Sequence, residues 1–99
     1  DPYKFQGKKI IAKKLILLKG EKKENFLFLY FFIRFEKKDF YLIIQSDNKI
    51  LNDIEDFKIG YYYDVEFRST KGKFNEGNIA ISIKPTGDKT DWASGVNAF

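Results

Sequence analysis

The chain has 99 residues, of which 43% are hydrophobic and 18% aromatic, as expected of one folded domain rather than a disordered segment. Its formal net charge of +4 permits a polyanionic partner without requiring one. The absence of Cys and His excludes thiolate catalysis, imidazole catalysis and Cys/His zinc sites. No apolar run approaches the ~20 residues that span a bilayer, and nothing resembles a signal peptide. We therefore expect a cytoplasmic protein that does not engage a membrane.

The first elements in chain order are a short leader and a long strand. Residues 1–7 (DPYKFQG) contain Pro and Gly and are predicted to form the leader. Lys8–Leu18 is rich in Ile, Leu and Lys, and its spacing fits a helix as well as a strand. We favour the strand, because a polar turn predicted over Lys19–Glu24 leads directly into a second, clearer strand.

That second strand, Phe26–Glu36, is hydrophobic on both faces. Because side chains alternate along a strand, one face is predicted to line the core; it carries Leu27, Leu29, Phe31, Ile33 and Phe35. The opposite face carries an aromatic ladder that ends in a guanidinium: Phe26, Phe28, Tyr30, Phe32 and Arg34. A small domain has little protein to cover both faces. The ladder is therefore either buried by another segment or subunit, or binds something flat.

A third strand and a helix are predicted next. Lys37–Asp39 is a polar turn, and Phe40–Ser46 is a strand that pairs with the second as a hairpin. Over Asp47–Gly60, apolar residues recur at helical spacing, and Gly60 is a suitable C-terminal stop. We therefore predict one short helix there.

Two more strands and a tail complete the chain. In the fourth strand, Tyr61–Ser69, the predicted inward residues are Tyr61, Tyr63, Val65 and Phe67. A polar loop over Thr70–Gly77 leads to the fifth strand, Asn78–Lys84, which Pro85 is expected to end. The predicted inward residues of this strand are Ile79, Ile81 and Ile83. Residues 86–99 are predicted to form a tail.

The order β-β-β-α-β-β resembles the OB-fold, a five-stranded, partly open barrel. The resemblance covers Lys8–Pro85 and implies an all-β domain with a small inserted helix, between a leader (1–7) and a tail (86–99). A small β-sandwich or an SH3-like barrel is the competing architecture, but such a barrel usually lacks a helix at this position.

More narrowly, the chain looks like the small OB-fold single-stranded DNA-binding proteins of phages and mobile genetic elements. In such proteins the ligand lies across strands 2 and 3, flanked by the loops between strands 1–2 and 4–5. The resemblance implies DNA binding without sequence preference, accessory to replication or recombination, by base stacking and Lys–phosphate contacts. The residues that we predict to bind nucleic acid are Tyr30, Phe32, Arg34, Tyr41, Tyr62, Arg68, Lys71, Lys73 and Phe74.

An alternative function is docking on a larger replication protein, such as a polymerase or helicase. The candidate protein-interface residues are Phe26, Phe28, Trp92 and Phe99. Trp92 and Phe99 are equally suited to packing back on the domain. RNA in place of DNA and a homo-oligomer remain open. We expect neither an enzyme nor a cofactor or metal, because no nucleophile motif or phosphate-binding loop is present.

Overall fold

The computed structural model describes residues 6–47 and 57–99. These residues form five strands: β1 (Lys9–Lys23), β2 (Phe26–Phe35), β3 (Lys38–Asp47), β4 (Tyr61–Lys73) and β5 (Glu76–Lys89). This part of the chain contains no helix, and therefore none that would cross a membrane. The helix predicted over Asp47–Gly60 falls largely outside the described residues. At its two ends, Asp47 closes β3, and Ile59 and Gly60 form a turn.

The strands follow the order β1-β2-β3-β5-β4, and β4 pairs back with β1 to close a ring. Neighbours are antiparallel except for β3 and β5, which meet in parallel over only two pairs, Ile44↔Asn78 and Gln45↔Ile79. β1 pairs with β4 along its first half and with β2 along its second half. The molecule is thus an all-β, five-stranded mixed sheet that closes in a ring without forming a regular barrel.

The interior of the ring follows the alternation predicted for β2 and β4. Leu29 and Phe31 of β2 are fully buried, and Leu27 and Ile33 pack against the core at its margin. Phe35, the last predicted inward residue of β2, lies outside this core and packs against Phe74. The β4 prediction is confirmed in the same way, since its buried core residues are Tyr63, Val65 and Phe67. These side chains meet Leu15 and Leu17 of β1 and Leu42 and Ile44 of β3 in one apolar cluster. Burial of this cluster excludes water from the ring and holds the strands together.

The inward face predicted for β5 was wrong at two positions. Ile79 and Ile81 are each 40% exposed, whereas Asn78, Ala80 and Ile83 are buried. A β-bulge is the cause. Glu66 pairs with Ser82 and the next residue, Phe67, pairs with Ala80, so Ile81 has no partner and the inward parity changes across it.

Four strands run further than predicted, and most residues of the polar segments expected to be turns or loops are in strand ends. β3 spans Lys38–Asp47 in place of the predicted Phe40–Ser46. β1 continues to Lys23, β4 to Lys73 and β5 to Lys89. The prediction that Pro85 ends the fifth strand was therefore wrong. Beyond Ile79, β5 is paired only with β4, so the missing N–H of Pro85 removes no bond to a second neighbour.

The C-terminal segment packs back on the ring. Its backbone bonds to the segment before β4: Ala98 N–H donates to Phe57 O at 2.6 Å, and Ile59 N–H donates to Val96 O at 2.9 Å. The Phe99 ring lies so close over Gly20 that a Cβ there would come within 2.7 Å of it. The segment therefore covers Phe57 at one margin of the core.

Candidate nucleic-acid interface

The outer face of the ring carries a row of large side chains that crosses four strands. The register pairs Tyr62 of β4 with Ile16 of β1, Ile16 with Phe32 of β2, and Phe32 with Tyr41 of β3. Tyr41 is 59% exposed, and the other three residues are half-buried. With neighbouring strands about 4.8 Å apart, the row is roughly 14 Å long. We call these residues the aromatic platform.

A second row runs beside the platform, with Lys19 of β1 opposite Tyr30 of β2 and Tyr30 opposite Ile43 of β3. The rings of Tyr30 and Tyr41 meet edge to face, with centroids 6.2 Å apart. Lys19 Nζ lies 5.1 Å from the centre of the Tyr30 ring and 2.7 Å from a carboxylate oxygen of Glu21. The pKa of Glu21 is lowered mainly by its hydrogen bond from Lys19 and also by a hydrogen bond from the Tyr30 hydroxyl. These contacts restrain Tyr30 against the platform.

Two lysines lie at the β1–β4 side of the platform. Lys13 and Lys14 form a bulge in β1 opposite Asp64, two or three residues before Ile16. Lys14 has a positive φ of 56°, and its N–H donates to Asp64 Oδ1 at 2.9 Å. Neither lysine side chain forms an ion pair within the described ranges, so both ammonium groups are available to phosphates.

Arg34 lies on the outer face of β2, two residues beyond Phe32, and is held by its cross-strand partner Asp39. Its Nε donates to Asp39 Oδ1 at 2.7 Å and its Nη2 donates to Oδ2 at 3.2 Å. This guanidinium lowers the pKa of Asp39 by hydrogen bonding and by charge. Arg34 is thus next to the platform, but Asp39 competes with any phosphate for it.

Two residues of the predicted β4–β5 loop, Lys73 and Phe74, line a separate cleft. The Phe74 ring lies 5.6 Å from Phe35 and 5.4 Å from Phe40, between centroids. With Lys73 and Tyr41, these rings line an open cleft of about 800 Å³ between the β2–β3 and β4–β5 turns. Tyr41 therefore belongs to both surfaces, since it ends the platform and borders the cleft.

Two predicted cations do not join the platform. Lys71 is paired with Glu76 at 2.6 Å across the β4–β5 hairpin. Arg68 lies between Lys9 of β1 and Ile79 of β5 in the register and donates to Gly7 O at 3.2 Å. The structure thus brings Tyr30, Phe32, Tyr41 and Tyr62 together, with Arg34 beside them and the cleft residues adjoining.

The candidate protein-interface residues fall into two groups. Phe26 and Phe28 lie on the outer face of β2; Phe26 is 43% exposed, and Lys23 Nζ is 5.6 Å from the centre of the Phe28 ring. Trp92 and Phe99 are 57% and 48% exposed and pack on Gly60 and Gly20, respectively. Packing on the domain leaves about half of the surface of each residue exposed.

Sequence reasoning did not assign Ile16 or the Lys13–Lys14 pair to the site. The sequence shows them in a strand, but only the pairing of β1 with both β2 and β4 places Ile16 between Phe32 and Tyr62. That pairing is non-local, and no short-range pattern reports it. Comparisons with protein-family models, curated proteins and solved structures found no match. Among the described residues, no cluster of acidic side chains is suited to a metal ion.

Proposed function

We propose that the protein binds single-stranded DNA without sequence preference, as an accessory protein of replication or recombination. The observation that carries the proposal is the aromatic platform, in which three aromatic rings and the aliphatic side chain of Ile16 form a row from Tyr62 to Tyr41 on the outside of the ring. Rings in such a row stack on bases, and stacking accepts every base.

The architecture supports the same proposal. The ring has five strands and closes by pairing of β1 with β4, as in the OB-fold. Oligonucleotides bind an OB-fold on the face of strands 2 and 3, and we place the proposed binding face on β2 and β3. Phe32 and Tyr41 provide the part of the platform on those two strands.

The charges support a backbone track beside the stacked bases. Lys13, Lys14 and Arg34 lie along one side of the platform, and Lys19 lies along the other. Two of these four cations, Lys19 and Arg34, are paired with carboxylates in the unbound protein. We therefore expect two to four phosphate contacts, the higher number requiring that the paired cations exchange partners.

A salt titration of binding tests the proposal. Fluorescence anisotropy with labelled oligo-dT of about 15 nucleotides, near the upper end of the site sizes of one OB-fold, should give saturable binding that weakens with salt. Two to four phosphates predict a slope of about −1.4 to −2.8 for log K against log salt concentration. Duplex DNA should bind more weakly, because its bases are not free to stack. Micromolar or weaker binding without salt dependence would contradict the proposal, and tighter binding of oligo-U would replace DNA with RNA.

A second candidate function is docking on a larger protein such as a polymerase or helicase. A separate apolar area on the outer face favours it: Phe26 is 43% exposed, and Ile79 and Ile81 are 40% exposed. The register links this area through Phe28, Gln45 and Ile79. This function predicts self-association of the isolated chain, which Phe26→Ser should relieve. A monodisperse monomer in light scattering at high concentration would count against it.

A further inference from the structure

One edge of β3 is only partly covered. Along its other edge, β3 pairs with β2 over the whole of Lys38–Asp47. On this edge, within the described residues, it pairs with β5 at Ile44 and Gln45 and forms one further main-chain hydrogen bond, from Ile43 N–H to Phe74 O at 2.9 Å. Among residues 6–47 and 57–99, no strand pairs with this edge over the segment from Lys38 to Leu42.

The backbone groups on this edge follow from the bonds of Ile43. Its N–H donates to Phe74 O, and its C=O accepts Asn78 Nδ2 at 3.2 Å, so both groups of Ile43 face away from β2. In an antiparallel pair the direction alternates along the strand, so the backbone groups of Tyr41 and Asp39 face the same way. They present donors and acceptors in the spacing that an added strand requires.

The uncovered edge forms one wall of the cleft of about 800 Å³. The β4–β5 turn forms the opposite wall, and the tilted Phe40–Phe74 pair gives the cleft an apolar surface. Asn78 fixes this wall, because its Nδ2 donates to Lys73 O at 2.9 Å and to Phe74 O at 2.8 Å. The buried side chain of Asn78 thus holds this wall in place by hydrogen bonds to main-chain carbonyls.

The charges around the cleft favour an acidic occupant. Asp39 is already paired with Arg34, which leaves Glu36 as the remaining acid among the lining residues, against Lys38 and Lys73. Glu76, opposite Lys73 in the β4–β5 register, is paired with Lys71. Neither lysine is ion-paired within the part of the chain that the structure describes. A strand that carries carboxylates would therefore gain charge complementarity, whereas a basic strand would be repelled.

We propose that the uncovered edge of β3 binds an extended acidic segment of a partner protein as an added β-strand. Tyr41 and Asp39 supply the backbone hydrogen bonds, Phe40 and Phe74 receive apolar side chains, and Lys38 and Lys73 face the carboxylates. This mode is strand addition, in which the backbone gives affinity and alternate side chains give specificity. It differs from base stacking on the platform, with which it shares Tyr41, because a nucleic acid cannot provide the alternating amide donors and carbonyl acceptors of a strand.

A synthetic probe peptide tests the proposal without an identified partner. The probe carries Thr at alternate residues and Val, Phe and Asp at the residues between them, so that its apolar side chains and carboxylates lie on the one face that meets Phe40 and Lys38. Its matched control carries N-methyl groups on the amides of alternate residues. A second control replaces every Asp with Lys. In ¹⁵N NMR of the full chain, the probe should shift the amides of Asp39, Tyr41 and Phe74 and slow hydrogen exchange at Tyr41. The controls should bind at least about fivefold more weakly, the effect of roughly one lost hydrogen bond or charged contact.

A pair of variants separates the contribution of the Tyr41 backbone to peptide binding from that of its side chain. Tyr41→Ala and Tyr41→Pro both remove the phenol ring, but only the proline removes the N–H on the uncovered edge, and neither removes a bond to β2. We expect Tyr41→Ala to keep most of the peptide affinity and Tyr41→Pro to lose at least about fivefold. Equal binding by the two variants, or unchanged Tyr41 exchange in the wild-type chain with saturating probe, would overturn the proposal. If oligo-dT displaced the probe and shifted Phe74 in its place, the cleft would belong to the nucleic-acid site instead. Should the proline variant fail to fold, the exchange measurement on the wild-type chain decides.

Discussion

At the residue scale, Phe32 holds the central position of the platform. Its register neighbours are Ile16 on one side and Tyr41 on the other, so a base stacked on Phe32 lies over the middle of the row. Phe26 is on the same face of the same strand, six residues away, and is 43% exposed. The two phenylalanines therefore provide a matched comparison between the platform and the rest of the outer face.

We predict that Phe32→Leu weakens oligo-dT binding by about 5- to 100-fold, because it removes a stacking surface that is worth about 1–3 kcal/mol per base. Phe26→Leu makes the same chemical change outside the platform and should leave affinity nearly unchanged. Anisotropy titrations of both variants at one salt concentration, with thermal unfolding as the control for folding, give the comparison. Equal losses in the two variants would show that the platform has no special role.

Asp39 limits the availability of Arg34 in the unbound protein. The bidentate pair engages the guanidinium at 2.7 and 3.2 Å and places a negative charge beside the platform. Asp39→Asn removes that charge and leaves Arg34 available to a phosphate.

We predict that Asp39→Asn tightens oligo-dT binding by up to about fivefold, the size that an exposed ion pair reaches. The salt slope should also become steeper, by up to about 0.7 for one additional phosphate contact. Arg34→Gln in the same background should reverse both effects. Unchanged affinity and slope in the single variant would place Arg34 outside the interface.

At the element scale, β2 shows what local pattern predicts. The alternation of Leu29 and Phe31 with Tyr30 and Phe32 is set by the two-residue period of a strand, and the structure keeps it. The inward face of β5 was not predictable in this way, because the bulge at Ile81 arises from the match between β5 and β4 rather than from β5 itself. Likewise, Ile16 lies between Phe32 and Tyr62 only because β1 pairs with both β2 and β4 when the ring closes. The sequence therefore indicates which face of β2 lies on the outside of the ring but not which residues of β1 and β4 lie beside it.

The C-terminal segment is a second element whose position the sequence left open. Its Phe99 ring and Ala98 methyl lie over Gly20, and a Cβ at that position would come within 2.7 and 2.8 Å of them. A glycine in the strand interior thus makes room for a close approach of another segment.

We predict that Gly20→Ala destabilises the protein by about 1–3 kcal/mol, because the added methyl overpacks the contact with Phe99. In the Phe99→Ala background the same substitution should cost less, since part of the clash has been removed. Urea unfolding of the four members of this double-mutant cycle measures the coupling. Additive effects would show that Phe99 does not pack on Gly20 in solution.

At the scale of the whole molecule, acidic side chains set the pH dependence of stability. Hydrogen bonds from Arg34, Lys9 and Lys71 lower the pKa values of Asp39, Glu66 and Glu76, respectively. A carboxyl group with a lowered folded-state pKa contributes stability above its unfolded pKa and loses it as the pH falls through the folded value. The chain has no His, so no side chain has its ordinary pKa between pH 5 and 8.

We therefore predict that the free energy of unfolding is nearly constant from about pH 5 to pH 8 and decreases below about pH 4, where the carboxyl groups become protonated. Urea titrations at several pH values, at constant ionic strength, test this. Asp39→Asn should flatten part of the acidic decrease. A marked change in stability between about pH 6 and 7 would contradict the prediction, because the composition provides no ordinary side-chain titration there.

Photocrosslinking tests the central claim, that bases stack on the aromatic platform, most directly. Oligo-dT in which 5-iododeoxyuridine replaces single thymidines is irradiated in complex with the full chain, and crosslinked residues are located by peptide mass spectrometry. Binding on the platform predicts crosslinks at Tyr62, Phe32 or Tyr41, with the site of attachment moving along this row as the iodinated position moves along the oligomer. Crosslinks confined to Phe26, Trp92 or Phe99 in a saturated complex would contradict the claim and place the nucleic acid on another face of the ring.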